Sequence, residues 1–191
     1  MIKKHRHFII YKPYGFLSQF VNNQTKRKKK LLGELYNFPD KTMAIGRLDV
    51  KSEGLLLLTT DGKVSDFITT RGNVEKEYYV QVNGEIIPSK IEELKKGVEI
   101  GFDGKKYTTK PCKASIIKTP NLPKRAQKIR DERHGPTSWI SITLTEGKFR
   151  QVRKMTSAVG HPTLRLIRVR VGAIKLEKLN VGEVKEIETL V

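Results

Sequence analysis

Apolar and polar residues are mixed along most of this chain, but four consecutive leucines form an exception. They occupy residues 55–58, within the stretch GRLDVKSEGLLLLTTDG at 46–62. A continuous apolar run of this length between turn-forming residues predicts a strand that is buried on both faces. Asp61-Gly62 follows the run and predicts a tight turn, because glycine accepts a positive φ and aspartate tolerates one.

The remaining apolar segments predict a sheet with a few short helices. Strands are expected at residues 8–11, 54–60, 76–82, 111–117, 139–144 and 166–171. Helical spacing predicts helices at 31–36 and 63–69 and a third that is capped by Ser89 and ended by Gly97. A fourth is predicted where Phe149, Val152, Met155 and Val159 recur at helical spacing before Gly160. Because hairpin-type connections dominate, the expected fold is α+β, with a bent and mostly antiparallel mixed sheet.

The chain length indicates a single domain over residues 1–191. Two segments read as basic flexible loops. The first, 22–30, contains KRKKK at 26–30, and the second, 121–137, contains five Lys/Arg residues and few apolar ones. Blocks of like charge are usually solvated, and they can still contact phosphate.

Charge indicates the class of partner. The chain has 38 Lys and Arg against 20 Asp and Glu, a formal net charge of +18. Residues 147–176 contain eight cations and no carboxylate, whereas an ordinary solvated face mixes both signs. A cationic excess of this size favours a nucleic acid as the partner. On strand 166–171, Arg168 and Arg170 alternate with apolar residues and predict one cationic face.

Other classes of function receive no support from the residues. No apolar run reaches the ~20 residues of a membrane span, and the four histidines lack metal-ligand spacing, so no metal site is predicted. Cys112 is the only cysteine, which excludes an internal disulfide and suits the cytoplasm. Asp49 lies two residues from Arg47 ahead of the leucine run. Taken alone, its position favours a turn cap over a catalytic carboxylate.

Residues 46–62 closely resemble the active-site motif of the pseudouridine synthases, in the branch that modifies ribosomal RNA. The resemblance implies that Asp49 is the catalytic residue. KEYYVQV at 76–82 resembles the second motif of the family, in which Tyr78 would stack on the target uracil. GKFRQVRKMTSAVGHPTLRLIRVRVG at 147–172 resembles the third motif, in which Arg153 would pair with the catalytic carboxylate.

The same resemblance implies how RNA is held. Arg47 would occupy the space that the extruded base leaves. The implied RNA-binding residues in the third motif are Lys148, Arg150, Lys154, Arg165 and Arg168. Phe149 is a departure, because relatives more often have a polar residue there. No cofactor is implied, since isomerisation transfers neither electrons nor groups between molecules, and a monomer is expected.

The segments at 136–139 and 161–168 most resemble E-type enzymes of large-subunit (23S) rRNA. The family pattern begins near residue 8, so no S4-type RNA-binding domain is expected upstream. Two alternatives remain open: a related synthase that acts on 16S rRNA, and a non-catalytic rRNA-binding or ribosome-assembly protein. Asp49 could add to the sugar, add to the base or remove a ribose proton, and the residues do not distinguish these routes.

Overall fold

A computed structural model describes residues 4–22, 29–129 and 132–190. The chain divides into two compact units, residues 1–74 with 168–191 and residues 75–167. The strands in the described part are β1 (His7–Lys12), β2 (Met43–Ile45), β3 (Glu53–Thr59), β4 (Lys76–Asn83), β5 (Glu99–Phe102), β6 (Lys105–Thr108), β7 (Lys113–Ile117), β8 (Thr137–Leu144), β9 (Thr163–Val171), β10 (Ile174–Lys175) and β11 (Val184–Ile187). The helices are α1 (Gly62–Asp66), α2 (Pro88–Lys96) and α3 (Gln151–Ala158).

The first unit is organised around β3. This strand pairs antiparallel with β1 from Lys12↔Gly54 to His7↔Thr59, and β2 also pairs with it. β11 pairs antiparallel with the opposite edge of β1. Every residue of β3 is buried, which confirms the strand predicted from the leucine run. Leu56 and Leu58 pack with Phe8, Ile10 and Leu32 in the core of this unit.

The segment after β3 differs from its prediction. Asp61 does not start a turn with a positive φ at Gly62; it caps α1, and its Oδ1 accepts from the Lys63 amide at 2.8 Å. An aspartate at this position satisfies amides that a helix start leaves without partners. The predicted helix at 63–69 is therefore present, but it continues as a π-helical turn over Phe67–Arg71.

The second unit contains an antiparallel sheet in which β8 lies between β4 and β7. The register runs from Lys76↔Leu144 to Asn83↔Thr137 and from Lys113↔Thr143 to Ile117↔Trp139. Tyr78, Val80 and Val82 are buried on one face of β4, as the alternation predicts. β5 and β6 form a separate hairpin, whose turn at Asp103 and Gly104 has positive φ at both positions.

Two helix boundaries in the second unit correct the sequence predictions. α2 begins with Pro88 after Ile87, so Ser89 lies inside the first turn and does not cap the helix. Pro fits this position because the first helical amide needs no partner within the helix. α3 begins only at Gln151, because Arg150 adopts a left-handed conformation with φ 53°. Phe149 consequently lies outside α3 and is 67% exposed, so its predicted place on the helix is wrong.

The two predicted loops are described in part. Most of the block at 26–30 falls at residues 26–28, outside the described residues. In the second loop, residues 121–129 and 132–136 contain no strand, and a 3-10 turn occupies Glu132–His134. β9 begins in the second unit at Thr163 and ends in the first at Val171, where it pairs with β10.

Candidate active site

Asp49 lies in the tight connection between β2 and β3. The amide and carbonyl of Leu48 both bond to the Ser18 hydroxyl, at 3.0 and 2.9 Å, and Ser18 and Leu48 are buried. The amide of Gly15 donates to the Val50 carbonyl at 2.8 Å. These bonds tie the connection to the segment after β1, so Asp49, which is half-buried, follows an anchored backbone. Arg47, two residues earlier, is exposed.

Lys12 is a charged residue of this site that the sequence did not reveal. It is the last residue of β1 and fully buried, and its Nζ donates to the carbonyls of Pro13 and Phe16 at 2.9 and 2.8 Å. Burial lowers the pKa of Lys12 to about 7, against the opposing attraction of Glu53 and Asp49. A lysine buried next to carboxylates and held by two carbonyls is an electrostatic element of the Asp49 site.

Arg168 occupies the same unit and is 4% exposed. Its Nε donates to the carbonyl of Leu55 at 2.7 Å, at the start of the leucine run. Its charge also acts on Lys12, whose pKa it lowers. The expected cationic face of β9 is therefore wrong at Arg168, because this guanidinium holds the backbone of β3 and is buried. Its predicted RNA contact gains no support from this position.

Tyr78 and Arg153 belong to the second unit, whereas Asp49 belongs to the first. Tyr78 is 9% exposed and lies opposite Ile142 in the β4–β8 ladder. Arg153 is half-buried on α3, beside Gln151, whose side chain donates to Glu146 at 2.6 Å. The stacking of Tyr78 on uracil and the pairing of Arg153 with Asp49 stay predictions from the resemblance.

The cations predicted to bind RNA in the second unit differ in their surroundings. Lys148 and Lys154 are half-buried and lie over aromatic rings of the β5–β6 hairpin, whereas Arg150 is exposed. Arg165 is only 6% exposed and donates to the carbonyl of Pro123 at 2.8 Å. Arg165 thus anchors the loop at 121–137 through Pro123, and this position does not support the RNA contact predicted for Arg165.

A hollow of about 400 Å³ lies between α3 and β5. Three cations and one carboxylate are among its lining residues, which are Glu99, Ile100, Gly101, Arg150, Arg153, Lys154, Ser157 and Ala158. The carboxylate of Glu99 is held by Lys106, with 2.9 Å between Nζ and Oε1. The charge facing this hollow is therefore mainly positive, and an anion is the ligand that it favours.

The sequence predicts neither a metal site nor a membrane-spanning helix. Over residues 4–22, 29–129 and 132–190, no group of three His, Cys, Asp or Glu side chains could hold a metal ion. No helix in those ranges is long and apolar enough to cross a membrane. Cys112 donates to the Leu94 carbonyl at 3.2 Å, and burial raises the pKa of its thiol to about 11, as expected for a structural cysteine.

The family model for RNA pseudouridylate synthases matches residues 6–158, which include Asp49, Tyr78 and Arg153. The chain belongs to this family. It is thus an isomerase of the pseudouridine synthase fold, as the motifs predicted, and the mostly antiparallel sheet agrees with that assignment.

Within this family, the chain is similar to enzymes named as ribosomal large subunit pseudouridine synthases. The chain is 40% identical to ribosomal large subunit pseudouridine synthase E of Vibrio parahaemolyticus, over 97% of this chain and 75% of the relative. It is 41% identical to the protein of the same name from Xanthomonas campestris, over 92% of this chain and 91% of the relative. Ribosomal large subunit pseudouridine synthase B of Bacillus subtilis is 34% identical, over 95% and 67%.

Solved structures agree with the fold of this pseudouridine synthase family member. A crystal structure of a pseudouridylate synthase aligns with a TM-score of 0.76 and 27% identity, over 97% of this chain and 71% of that one. The archaeal box H/ACA Nop10–Cbf5 complex contains a chain that aligns with a TM-score of 0.55 at 18% identity. At that identity the likeness concerns the fold alone.

Proposed function

We propose that this enzyme converts a specific uridine of large-subunit ribosomal RNA to pseudouridine, with Asp49 as the catalytic carboxylate. The proposed substrate rests on similarity to enzymes named for the ribosomal large subunit, which are about 40% identical over nearly the whole chain. The excess of cations, with a net charge of +18, agrees with an RNA substrate. We also propose that the enzyme acts in the cytoplasm, as a monomer and without a cofactor.

The reaction rearranges one nucleotide. The bond from ribose C1′ to uracil N1 breaks, the base turns, and a bond forms from C1′ to C5. C5 loses its proton and N1 ends with one, so atoms and electrons balance without an oxidant or reductant. Addition of a carboxylate to the sugar, addition to the base and removal of a ribose proton are the three ways to begin. All three require Asp49 in its ionised form.

A buried lysine interacts with Asp49. When Lys12 is protonated, its Coulombic interaction with the Asp49 carboxylate is attractive. We assign Arg153 to pair with the same carboxylate, on the strength of its place in the third motif. Leu48, the residue before Asp49, is held by hydrogen bonds to Ser18. The Asp49 backbone is therefore positioned before substrate binds, which lowers the cost of orienting the carboxylate.

The target base must leave the RNA stack before Asp49 can reach it. Extrusion costs a few kcal/mol, which phosphate contacts to cations offset. Arg47 is exposed on the same connection as Asp49, where a guanidinium can fill the space that the base leaves. We assign Tyr78 to stack on the extruded uracil, in keeping with its place in the second motif.

Asp49→Asn tests the proposal, because it keeps the size of the side chain and removes the charge. Pseudouridine formation in a large-subunit rRNA fragment should become undetectable, since an amide can neither attack nor accept the proton. RNA affinity should stay similar or increase, because a negative charge near phosphates is removed. Asp61→Asn is the matched control: Asp61 caps α1, and Asn is an equally good cap, so activity should be kept.

Two results would contradict the proposal in different ways. Wild-type turnover by the Asp49→Asn variant would exclude Asp49 from the chemistry. If the wild-type enzyme leaves the large-subunit fragment unmodified and isomerises a small-subunit fragment, the substrate is wrong and the catalytic assignment stands. Thermal unfolding of both variants would show whether a loss of activity reflects a loss of fold.

A further inference from the structure

Phe149 is the most exposed of the large apolar side chains that the structure describes, at 67%. It precedes Arg150, whose left-handed backbone keeps the residue before it out of α3. The side chain is therefore presented to solvent by a defined turn at the start of a helix. A single exposed apolar residue is common on protein surfaces, so a role in binding depends on the groups next to Phe149.

One cation lies over the Phe149 ring, and a second lies over the neighbouring Phe102 ring. The Nζ of Lys154 lies 5.5 Å from the centre of this ring and 5.9 Å from that of Phe102, and it donates to the Gly101 carbonyl at 2.6 Å. Lys148 lies 5.0 Å from the centre of the Phe102 ring. We call these residues the Phe149 surface: Phe102, Lys148, Phe149, Arg150 and Lys154. Lys148, Lys154 and the two phenylalanine rings are linked by these contacts, and all five residues belong to the second unit.

Two carboxylates near this surface already have hydrogen-bonding or ionic partners. Glu99 is paired with Lys106, and Glu146 accepts from the Tyr107 hydroxyl and from Gln151. Arg150 and Lys154 line the hollow of about 400 Å³ between α3 and β5. An exposed ring next to an electropositive hollow matches the two parts of a nucleotide, a flat base and a phosphate. A protein partner with an apolar patch would match the ring but would gain nothing from the cations.

We propose that the Phe149 surface binds an unpaired nucleotide of the RNA outside the target uridine, with its base stacked on Phe149 and its phosphate held by Arg150 and Lys154. The inference rests on the proposed function only in taking RNA as the ligand. Stacking on a phenyl ring accepts any base, so this contact adds affinity and requires the neighbouring nucleotide to be unpaired. It would restrict the enzyme to targets in loops or at helix ends.

Fluorescence of 2-aminopurine tests this contact directly, because the base loses fluorescence when it stacks on an aromatic ring. The probe is a single-stranded fragment of large-subunit rRNA that carries the target uridine, with 2-aminopurine placed at one flanking position at a time. Wild-type enzyme should quench one position far more than the others. Phe149→Ser should abolish that quenching and weaken binding roughly tenfold, whereas Phe149→Tyr should preserve both.

The control variants separate stacking from charge. Ile87→Ser removes another exposed apolar side chain of the second unit, 53% exposed, and should change neither quenching nor affinity. Lys154→Gln should make the dependence of log K on log salt shallower by about 0.7. Phe149→Ser should leave that slope unchanged, because no phosphate contact is removed.

Equal affinity and equal quenching for the wild type and Phe149→Ser would overturn the inference, as would quenching spread evenly over all positions. Pseudouridine formation in the same fragment is scored separately. A wild-type enzyme that isomerises the uridine without a Phe149-dependent signal would refute this inference alone. One that quenches at a single Phe149-dependent position without isomerising anything would refute the proposed function and leave the nucleotide contact standing.

Discussion

Replacing Lys12 by methionine should change how the stability of this enzyme depends on pH. Lys12 is fully buried, and burial lowers its pKa from 10.5 in the unfolded chain to about 7. The unfolded chain therefore holds the proton up to about pH 10.5, whereas the folded protein releases it near pH 7. Since the unfolded state binds more protons in this range, the free energy of unfolding rises with pH between these two values.

The size of the effect follows from the gap between the two pKa values. Each pH unit in which one extra proton is bound by the unfolded state contributes about 1.36 kcal/mol. From pH 7 to pH 9 the wild-type protein should thus gain about 2 kcal/mol that the Lys12→Met variant lacks, because Lys12 is still partly protonated at pH 7. The variant also loses the donor to the carbonyls of Pro13 and Phe16, at a cost of about 1–3 kcal/mol for each unsatisfied acceptor.

Urea unfolding at pH 6, 7, 8 and 9 measures this difference, because the other titrating groups are shared by both proteins and cancel. The stability of the wild type relative to Lys12→Met should rise steadily above pH 7. Lys185→Met, on the exposed side of β11, is the control and should run parallel to the wild type. Parallel curves for Lys12→Met as well would refute the reasoning, because they would show that Lys12 keeps an ordinary pKa in the folded protein.

Three further outcomes are expected. If about six phosphates are neutralised, log K for single-stranded RNA should fall with log salt at a slope near −4, and a slope near zero would remove RNA as the ligand. Gly97→Ala should lower the free energy of unfolding by at least about 2 kcal/mol, because Gly97 has φ +98° and an added Cβ would lie 2.2 Å from the Thr109 carbonyl oxygen. Gly33→Ala should be nearly neutral in the same urea titration, because no atom lies within 4 Å of its added Cβ. Arg168→Met should cost about 1–3 kcal/mol through the loss of its bond to Leu55, and unchanged unfolding would show that this bond contributes nothing.

The strands of this fold were predictable because their burial patterns are simple. β3 is buried on both faces and contains four consecutive leucines, while β4 alternates regularly between buried and half-buried residues. The order of the motifs along the chain predicted the family. Helix boundaries were less predictable, since they depend on single backbone conformations such as the positive φ of Arg150.

The electrostatics of the site could not be predicted from residue types. A lysine or arginine in a sequence is normally assigned to the surface, because burying a charge is costly. Lys12, Arg165 and Arg168 are nevertheless buried. Each donates to a backbone carbonyl, and the acceptors of Arg165 and Arg168 are distant in the sequence. Only the fold shows which carbonyls are close enough to accept these bonds.

The four leucines of β3 affect how the register between β3 and β1 is specified during folding. A strand with one apolar and one polar face is held in register, because a shift by one residue would bury its polar side chains. In β3 such a shift would exchange leucine for leucine on both faces, so the leucines themselves do not distinguish the native pairing from a slipped one. The two ends of the strand do: Gly54 opposite Lys12 has φ +103°, and Thr59 opposite His7 shares a 2.9 Å hydrogen bond with its ring. Folding errors in this enzyme should therefore arise from changes at Gly54 or Thr59 more readily than from conservative changes among the leucines.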